Sequence, residues 1–172
     1  MASKAPKPYT GYLWNKSIVG YGIINGVINA LIFLGLNAGN ADGLFDQGKI
    51  IEELALTGAL LGMILTWCVV PLTKMDLRHG AYTADADAIP APVRKLPGKS
   101  IPMSIALAVV AGIAATAITW VCTLVLPLPL DRTGMMVFKG VMCALTGCLS
   151  GYLVIGRVSW GFAQGEYPAK AK

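Results

Sequence analysis

The chain has 172 residues, of which 55% are hydrophobic and only 13% are charged, and its net charge is +5. An ordinary soluble domain carries about a quarter charged residues, so this composition excludes a water-facing globular protein. The charges are confined to short stretches between long charge-free runs, which predicts an all-α integral membrane protein, a four-helix bundle of two transmembrane hairpins.

Four charge-free runs predict the four transmembrane helices: 17–41, 54–73, 101–130 and 140–156. A helix needs about 20 apolar residues to cross about 30 Å of hydrocarbon, and the first three runs are long enough. The fourth is slightly short. It becomes adequate if Lys139 and Arg157, at its two ends, extend their charged groups towards the lipid headgroups.

The first run carries two amides, Asn25 and Asn29, one helical turn apart. An amide in hydrocarbon is costly unless it is hydrogen-bonded, so we expect this face to point at protein or water. The two side chains either join helices together or line a polar path or ligand site.

The second run is preceded by Glu52 and Glu53 and contains Gly58 and Gly62. Carboxylates are stabilised near the positive end of a helix dipole, so the two glutamates are expected to cap the helix. The alternative is that they gather cations at an outer mouth. The two glycines, four residues apart, form a flat notch where another helix can approach closely.

The segment 74–100 is rich in proline and glycine and predicts a cytoplasmic linker between the two hairpins. The expected organisation is a cytoplasmic N-terminal segment 1–16, a first hairpin 17–73, the linker, a second hairpin 101–160 and a cytoplasmic tail 161–172.

The second hairpin, like the first, carries polar side chains and a glycine notch. Thr116 and Thr119 lie on a polar stripe of the third run, although threonines readily hydrogen-bond their own helix. Gly147 and Gly151 form a second notch in the fourth run. We expect the second and fourth helices to pack against each other through their notches, and the alternative is a homodimer seam.

A short match links the halves. Residues 56–62 read LTGALLG and residues 145–151 read LTGCLSG, with five of seven positions identical at an offset of 89. Duplication would relate the hairpins by an axis along the membrane normal. Chance similarity in a chain rich in leucine and glycine is the alternative.

Orientation follows from the basic residues, because eleven of the 14 Lys and Arg side chains fall on one side of the predicted helices. The positive-inside rule then places both termini and the linker in the cytoplasm of a multi-pass inner-membrane protein. The lipid bilayer, with its anionic inner leaflet, is the expected partner. No basic patch typical of a nucleic-acid-binding domain is evident.

No catalytic or cofactor motif occurs, and a single histidine with four cysteines inside apolar runs gives no metal-ligand pattern. We therefore expect no enzyme activity, no cofactor and no metal. The first hypothesis is an oligomeric permease or channel-like protein that moves a small solute or ion along Asn25, Asn29, Thr116 and Thr119. The alternative is a non-catalytic structural or assembly subunit of a larger membrane complex, held through the glycine notches and residues 74–100.

Overall fold

The structure, a computed structural model, describes residues 6–40 and 42–167. These residues form four long helices and no β-strand. The helices are Tyr9–Leu36, Gln47–Arg78, Ser100–Thr123 and Arg132–Ala163, and a single turn, Ala91–Arg94, lies between the second and third. Each long helix contains a stretch with mean hydropathy between 1.6 and 2.2, so all four are long and apolar enough to cross a membrane. The prediction of four such helices is confirmed.

The first helix departs from regular α geometry over Asn15–Ile23, where it is π-helical.

The second and fourth helices each have 32 residues, and each has an aspartate at its N-terminus and a glycine after its C-terminus. Asp46 accepts a hydrogen bond from the Lys49 N–H at 2.9 Å, and Asp131 accepts one from the Gly134 N–H at 2.7 Å. Each aspartate thus caps a helix N-terminus. The Lys49 N–H also lowers the pKa of Asp46.

Two residues after the last residue of each of these helices lies a glycine in the left-handed region, Gly80 at φ 67° and Gly165 at φ 74°. Glycine adopts this conformation without steric cost and so terminates a helix readily. The N–H of Ala81 then bonds to the carbonyl of Asp76, and the N–H of Glu166 bonds to that of Gly161, both at 2.9 Å.

The prediction that Glu52 and Glu53 cap the second helix is wrong. That helix begins at Gln47, so both glutamates lie inside it, and Asp46 provides the cap. The sequence prediction took the charged residues as the helix boundary, whereas a charge can lie within a helix when a partner neutralises it.

The same reason explains why Lys139 and Arg157 do not reach outwards. The fourth helix begins at Arg132, and both side chains are almost fully buried within it. The Nε of Arg157 donates to the Leu96 carbonyl at 2.6 Å, and its Nη2 donates to a Glu166 carboxylate oxygen at 2.9 Å.

The first helix packs against the fourth and not against its neighbour in the chain, the second, whereas the second and third helices do pack together. The first packs along the fourth, the fourth along the second, and the second along the third. In the apolar stretches, 61% of the residues of the fourth helix are buried, against 17% in the first and 22% in the third. The second and fourth helices therefore meet in the centre, and the first and third lie on opposite flanks.

The two flanks make matching contacts. A methyl group added at Gly62 would meet the carbonyl oxygen of Leu107, and one at Gly147 would meet that of Tyr21. The corresponding residues are 85 apart in the second and fourth helices and 86 apart in the first and third. The caps Asp46 and Asp131 keep the same 85-residue spacing.

The same 85-residue spacing occurs where the chain segments before the second and fourth helices contact each other. Phe45 and Leu130, again 85 apart, exchange two backbone hydrogen bonds of 2.9 and 3.0 Å. A reciprocal pair of this kind has local two-fold symmetry. This bridge lies just before the N-terminal ends of the second and fourth helices. We call this the Phe45 end of the molecule and the opposite end the Tyr12 end.

The two glycine notches do not meet, contrary to prediction. Gly58 and Gly62 face Ala111 and its neighbours in the third helix, whereas Gly147 and Gly151 face Tyr21 in the first. The structural register is also 85 and not 89. Glycines four residues apart recur after one turn, so a sequence match can slide by a turn and still align glycine with glycine.

The segment between the second and third helices, residues 79–99, covers the Tyr12 end of the helices. Tyr82, Ile89 and Val93 are buried in it. The Tyr82 ring stacks on Tyr12 with centroids 3.8 Å apart, and its hydroxyl shares a 2.8 Å hydrogen bond with Ser159. Burial raises the pKa of Tyr82, although the Ser159 hydrogen bond acts in the opposite direction. The segment therefore joins the two halves through packed side chains.

Candidate functional site

The two asparagines of the first helix are hydrogen-bonded within that helix. Asn25 donates through Nδ2 to the Tyr21 carbonyl at 2.8 Å, and Asn29 donates to the Asn25 carbonyl at 2.9 Å. Both side chains are half-buried. Because each amide already has an acceptor one turn back, neither needs another helix or water for that donor.

The two threonines lie on the other flank. Thr116 donates to its own-helix carbonyl at Gly112 at 2.8 Å. Thr119 is fully buried, and its hydroxyl has no partner among the described residues. Since the first and third helices are separated by the central pair, the structure does not bring the asparagines and threonines to one path within a chain.

Glu53 forms a salt bridge with Lys139, with Nζ 2.6 Å from Oε1, and this pair links the two central helices near the Phe45 end. The Lys139 side chain is only 10% exposed and its ammonium lies 5.3 Å from the centroid of the Phe33 ring. Glu53 therefore has its charge compensated by a neighbouring helix, which opposes a role in gathering cations. Glu52 is exposed beside it, in an open groove of about 310 Å³ with Lys49.

The Glu53–Lys139 ion pair has no counterpart at the equivalent positions of the other half. Eighty-five residues from Glu53 stands Phe138, and 85 residues from Lys139 stands Leu54. Two buried charges are stable together only while both are present. The pair thus fixes the second helix against the fourth through two side chains that have no charged equivalents.

An open apolar groove of about 630 Å³ lies between the second and third helices, and we call it the 2/3 groove. Its floor consists of small residues, and its rim consists of larger apolar ones. The floor is Ala55, Ala59, Ala108 and Gly112, and the rim includes Ile51, Val109, Ile113 and Trp120. Thr116 also lines the groove, and its hydroxyl is already hydrogen-bonded within its helix. The groove can therefore receive an apolar surface and has no group for acid–base or nucleophilic chemistry.

The corresponding position on the other flank holds a smaller groove of about 270 Å³, the 1/4 groove, between the first and fourth helices. Its floor includes Gly26, Gly140 and Ala144, which are equivalent to Gly112, Ala55 and Ala59 of the 2/3 groove. A methyl group at Gly26 would meet Ala144, just as one at Gly112 would meet Ala59. The two grooves share one geometry and differ in the space they leave.

The 2/3 groove was missed in the sequence, although its signal is visible. Ala55 and Ala59 are four residues apart, as are Ala108 and Gly112, which is the small-residue spacing that permits close helix approach. The Glu53–Lys139 pair has no such signal, because its members are 86 residues apart and only the packing of the helices brings them together.

No group of three or more His, Cys, Asp and Glu residues that could hold a metal ion lies in residues 6–40 and 42–167. No protein-family model, no curated protein and no solved structure matches the chain. The arrangement of these grooves and side chains is therefore the basis for any functional proposal.

Proposed function

We propose that this is a multi-pass membrane protein that serves as a non-catalytic subunit of a larger membrane complex and holds a transmembrane helix of a partner in its 2/3 groove. The observation that carries the proposal is the groove itself, an apolar channel of about 630 Å³ with a floor of alanine and glycine. Four helices of sufficient length and hydropathy support insertion in a bilayer. The basic residues favour an inner membrane with cytoplasmic termini.

The dimensions suit a helix. The groove extends from Ile51 to Ala59 along one wall and from Ala108 to Thr116 along the other, about 12 Å or two helical turns in each case. In lipid, helices associate through close packing of small residues and not through a hydrophobic driving force. Small floors on both walls let the backbone of a third helix approach.

The internal comparison also favours an occupant here. The 1/4 groove has the same construction but less than half the volume, and the glycine notches are already filled by helices of the same chain. The 2/3 groove is thus the larger of the two grooves in which small residues on two helices remain uncovered. Lipid chains are the alternative occupant, and the experiment below separates them from a helix.

Transport has weaker support. The four side chains proposed to line a path lie on opposite flanks, and three of them have hydrogen bonds within their own helices. The grooves along the apolar stretches are lined almost entirely by apolar side chains.

We also infer that the halves arose by duplication, supported by the repeated caps and contacts at a spacing of 85 to 86 residues.

The experiment uses a photo-reactive amino acid at Thr116 in the full chain, expressed in its native membrane. Ala30, 86 residues earlier and lining the 1/4 groove, is the matched control. We expect one discrete protein adduct at Thr116, mapped by mass spectrometry to a transmembrane helix, and none at Ala30.

A second experiment fills the 2/3 groove with a large side chain. The substitution Ala108→Phe should abolish the adduct at Thr116, and the purified partner should bind wild type but not this variant in lipid nanodiscs. Adducts with lipid alone, or equal protein adducts at Thr116 and Ala30, would refute the proposal. Partner-independent uptake of a solute by reconstituted vesicles, lost on substitution of Asn25 and Asn29, would instead restore the permease hypothesis.

A further inference from the structure

A second polar cavity, of about 200 Å³, lies at the Tyr12 end of the molecule. It is formed by the start of the first helix, the end of the second and the segment that follows the second. Its lining residues are Lys7, Tyr12, Asn15, Lys16, Asp76 and Ala81. Unlike the 2/3 and 1/4 grooves, it is partly enclosed and carries several charged groups.

Its walls are held in place by the fold. The N–H of Lys7 donates to the Ala81 carbonyl at 3.0 Å, which fixes the chain before the first helix against the chain after the second. Tyr12 is buried, stacks on Tyr82 and donates its hydroxyl to Asp76 at 2.5 Å. The pocket therefore exists before any ligand arrives.

The charges in this pocket favour an anion. Asp76 accepts from Tyr12 and lies 3.4 Å from the Lys16 ammonium, so its carboxylate is already engaged by two groups. Two lysines against one aspartate leave one positive charge in excess. The Asn15 side chain adds an amide donor at the same wall.

The position of the pocket identifies the kind of anion. Lys16 is the last charged residue before the charge-free run 17–41. In the membrane orientation proposed above, the pocket therefore lies at the boundary between hydrocarbon and water, at the depth of the lipid phosphates. Basic side chains at this depth attract anionic headgroups by about 1 kcal/mol each, which corresponds to about fivefold in affinity.

We propose that this pocket binds the headgroup of an anionic glycerophospholipid, with the lipid phosphate between Lys7 and Lys16. The site is independent of the 2/3 groove and rests only on the membrane insertion of the proposed function. Asp76 positions Lys16 and lowers the net charge of the pocket, so it limits the affinity of the site.

The test measures lipid binding to the purified full chain in neutral detergent by native mass spectrometry. The probes are phosphatidylglycerol, phosphatidylcholine and inorganic phosphate. We expect phosphatidylglycerol to be retained preferentially. Lys7→Gln and Lys16→Gln should each weaken it about fivefold, whereas Lys49→Gln, an exposed lysine at the Phe45 end, should have no effect.

Asp76→Asn gives the sharpest result, because Asn can still accept the Tyr12 hydrogen bond while one negative charge is lost. Affinity for phosphatidylglycerol should rise about fivefold. A decrease in the folded variant, confirmed by an unchanged unfolding temperature, would overturn the proposal. So would equal retention of phosphatidylcholine, whereas inorganic phosphate that competes at equal concentration would overturn the lipid assignment in favour of a free anion. Loss of the Thr116 adduct with lipid binding intact would count against the partner helix alone.

Discussion

The flank formed by the second and third helices and the flank formed by the fourth and first follow one plan, with equivalent glycines facing equivalent carbonyls. They differ in their polar side chains and in the volume of the groove between their helices. The first–fourth flank carries the Asn25 and Asn29 amides and leaves a groove of about 270 Å³, whereas the second–third flank has alanines at the equivalent positions and leaves about 630 Å³. The contacts that both flanks share indicate what stabilises the fold, and the differences indicate a separate role for each flank.

The largest expected effect concerns the Glu53–Lys139 ion pair, which has no counterpart at the equivalent positions of the other half. Lys139→Met leaves the Glu53 carboxylate without its partner and should destabilise the protein by about 2–3 kcal/mol. This is below the ~3–5 kcal/mol typical of a fully buried pair, because the Glu53 side chain is 31% exposed. Thermal unfolding in detergent measures it.

Two controls accompany that variant. Leu54→Met, at the equivalent position of the other half, should cost less than about 1.5 kcal/mol because it conserves apolar volume. The double variant Glu53→Leu/Lys139→Met should recover most of the loss. Equal destabilisation by Lys139→Met and Leu54→Met would show that the charges do not distinguish the halves.

The glycine contacts should respond equally on both flanks. Gly62→Ala and Gly147→Ala each place a methyl group against a backbone carbonyl and should cost about 1–3 kcal/mol through overpacking. Gly35→Ala, where an added methyl meets nothing within 4 Å, is the control and should not destabilise. A loss at only one of the two contact glycines would contradict the 85-residue correspondence.

These contacts show where sequence reasoning succeeds and fails. Charge-free runs locate four helices because ionised groups are too costly in hydrocarbon without a partner. The same rule misplaced the ends of the second and fourth helices, since Glu53 and Lys139 neutralise each other inside. The spacing of Gly58 and Gly62 reveals a notch but not its partner, because periodicity within one helix carries no information about which helix lies opposite.

A matched pair of substitutions tests the difference in groove volume. Thr116→Phe should fit in the 2/3 groove and change stability by less than about 1 kcal/mol. Ala30→Phe, in the narrower 1/4 groove and close to Gly140, should cost about 1–3 kcal/mol. Unfolding curves recorded in the same detergent compare them, and the reverse order would mean that the grooves are misassigned.

The smallest effects should come from the two caps. Asp46→Ala and Asp131→Ala should lower the unfolding temperature slightly and by similar amounts. Because the pKa of Asp46 is lowered in the folded protein, its contribution is present above the ordinary carboxyl pKa of about 3.9 and is lost as the pH falls through the lower folded value. Asp46→Asn should remove this pH dependence. If it persists, another carboxyl group is responsible.

Insertion of all four helices with both termini on one side underlies the grooves, the lipid pocket and the proposed partner, and cysteine labelling in intact cells tests it most directly. In a background without native cysteines, Lys49→Cys and Lys99→Cys place exposed thiols at opposite ends of the molecule. A membrane-impermeant maleimide should label Lys49→Cys from outside and Lys99→Cys only after lysis. Equal labelling of both thiols before lysis, or recovery of the protein in the soluble fraction, would contradict the account.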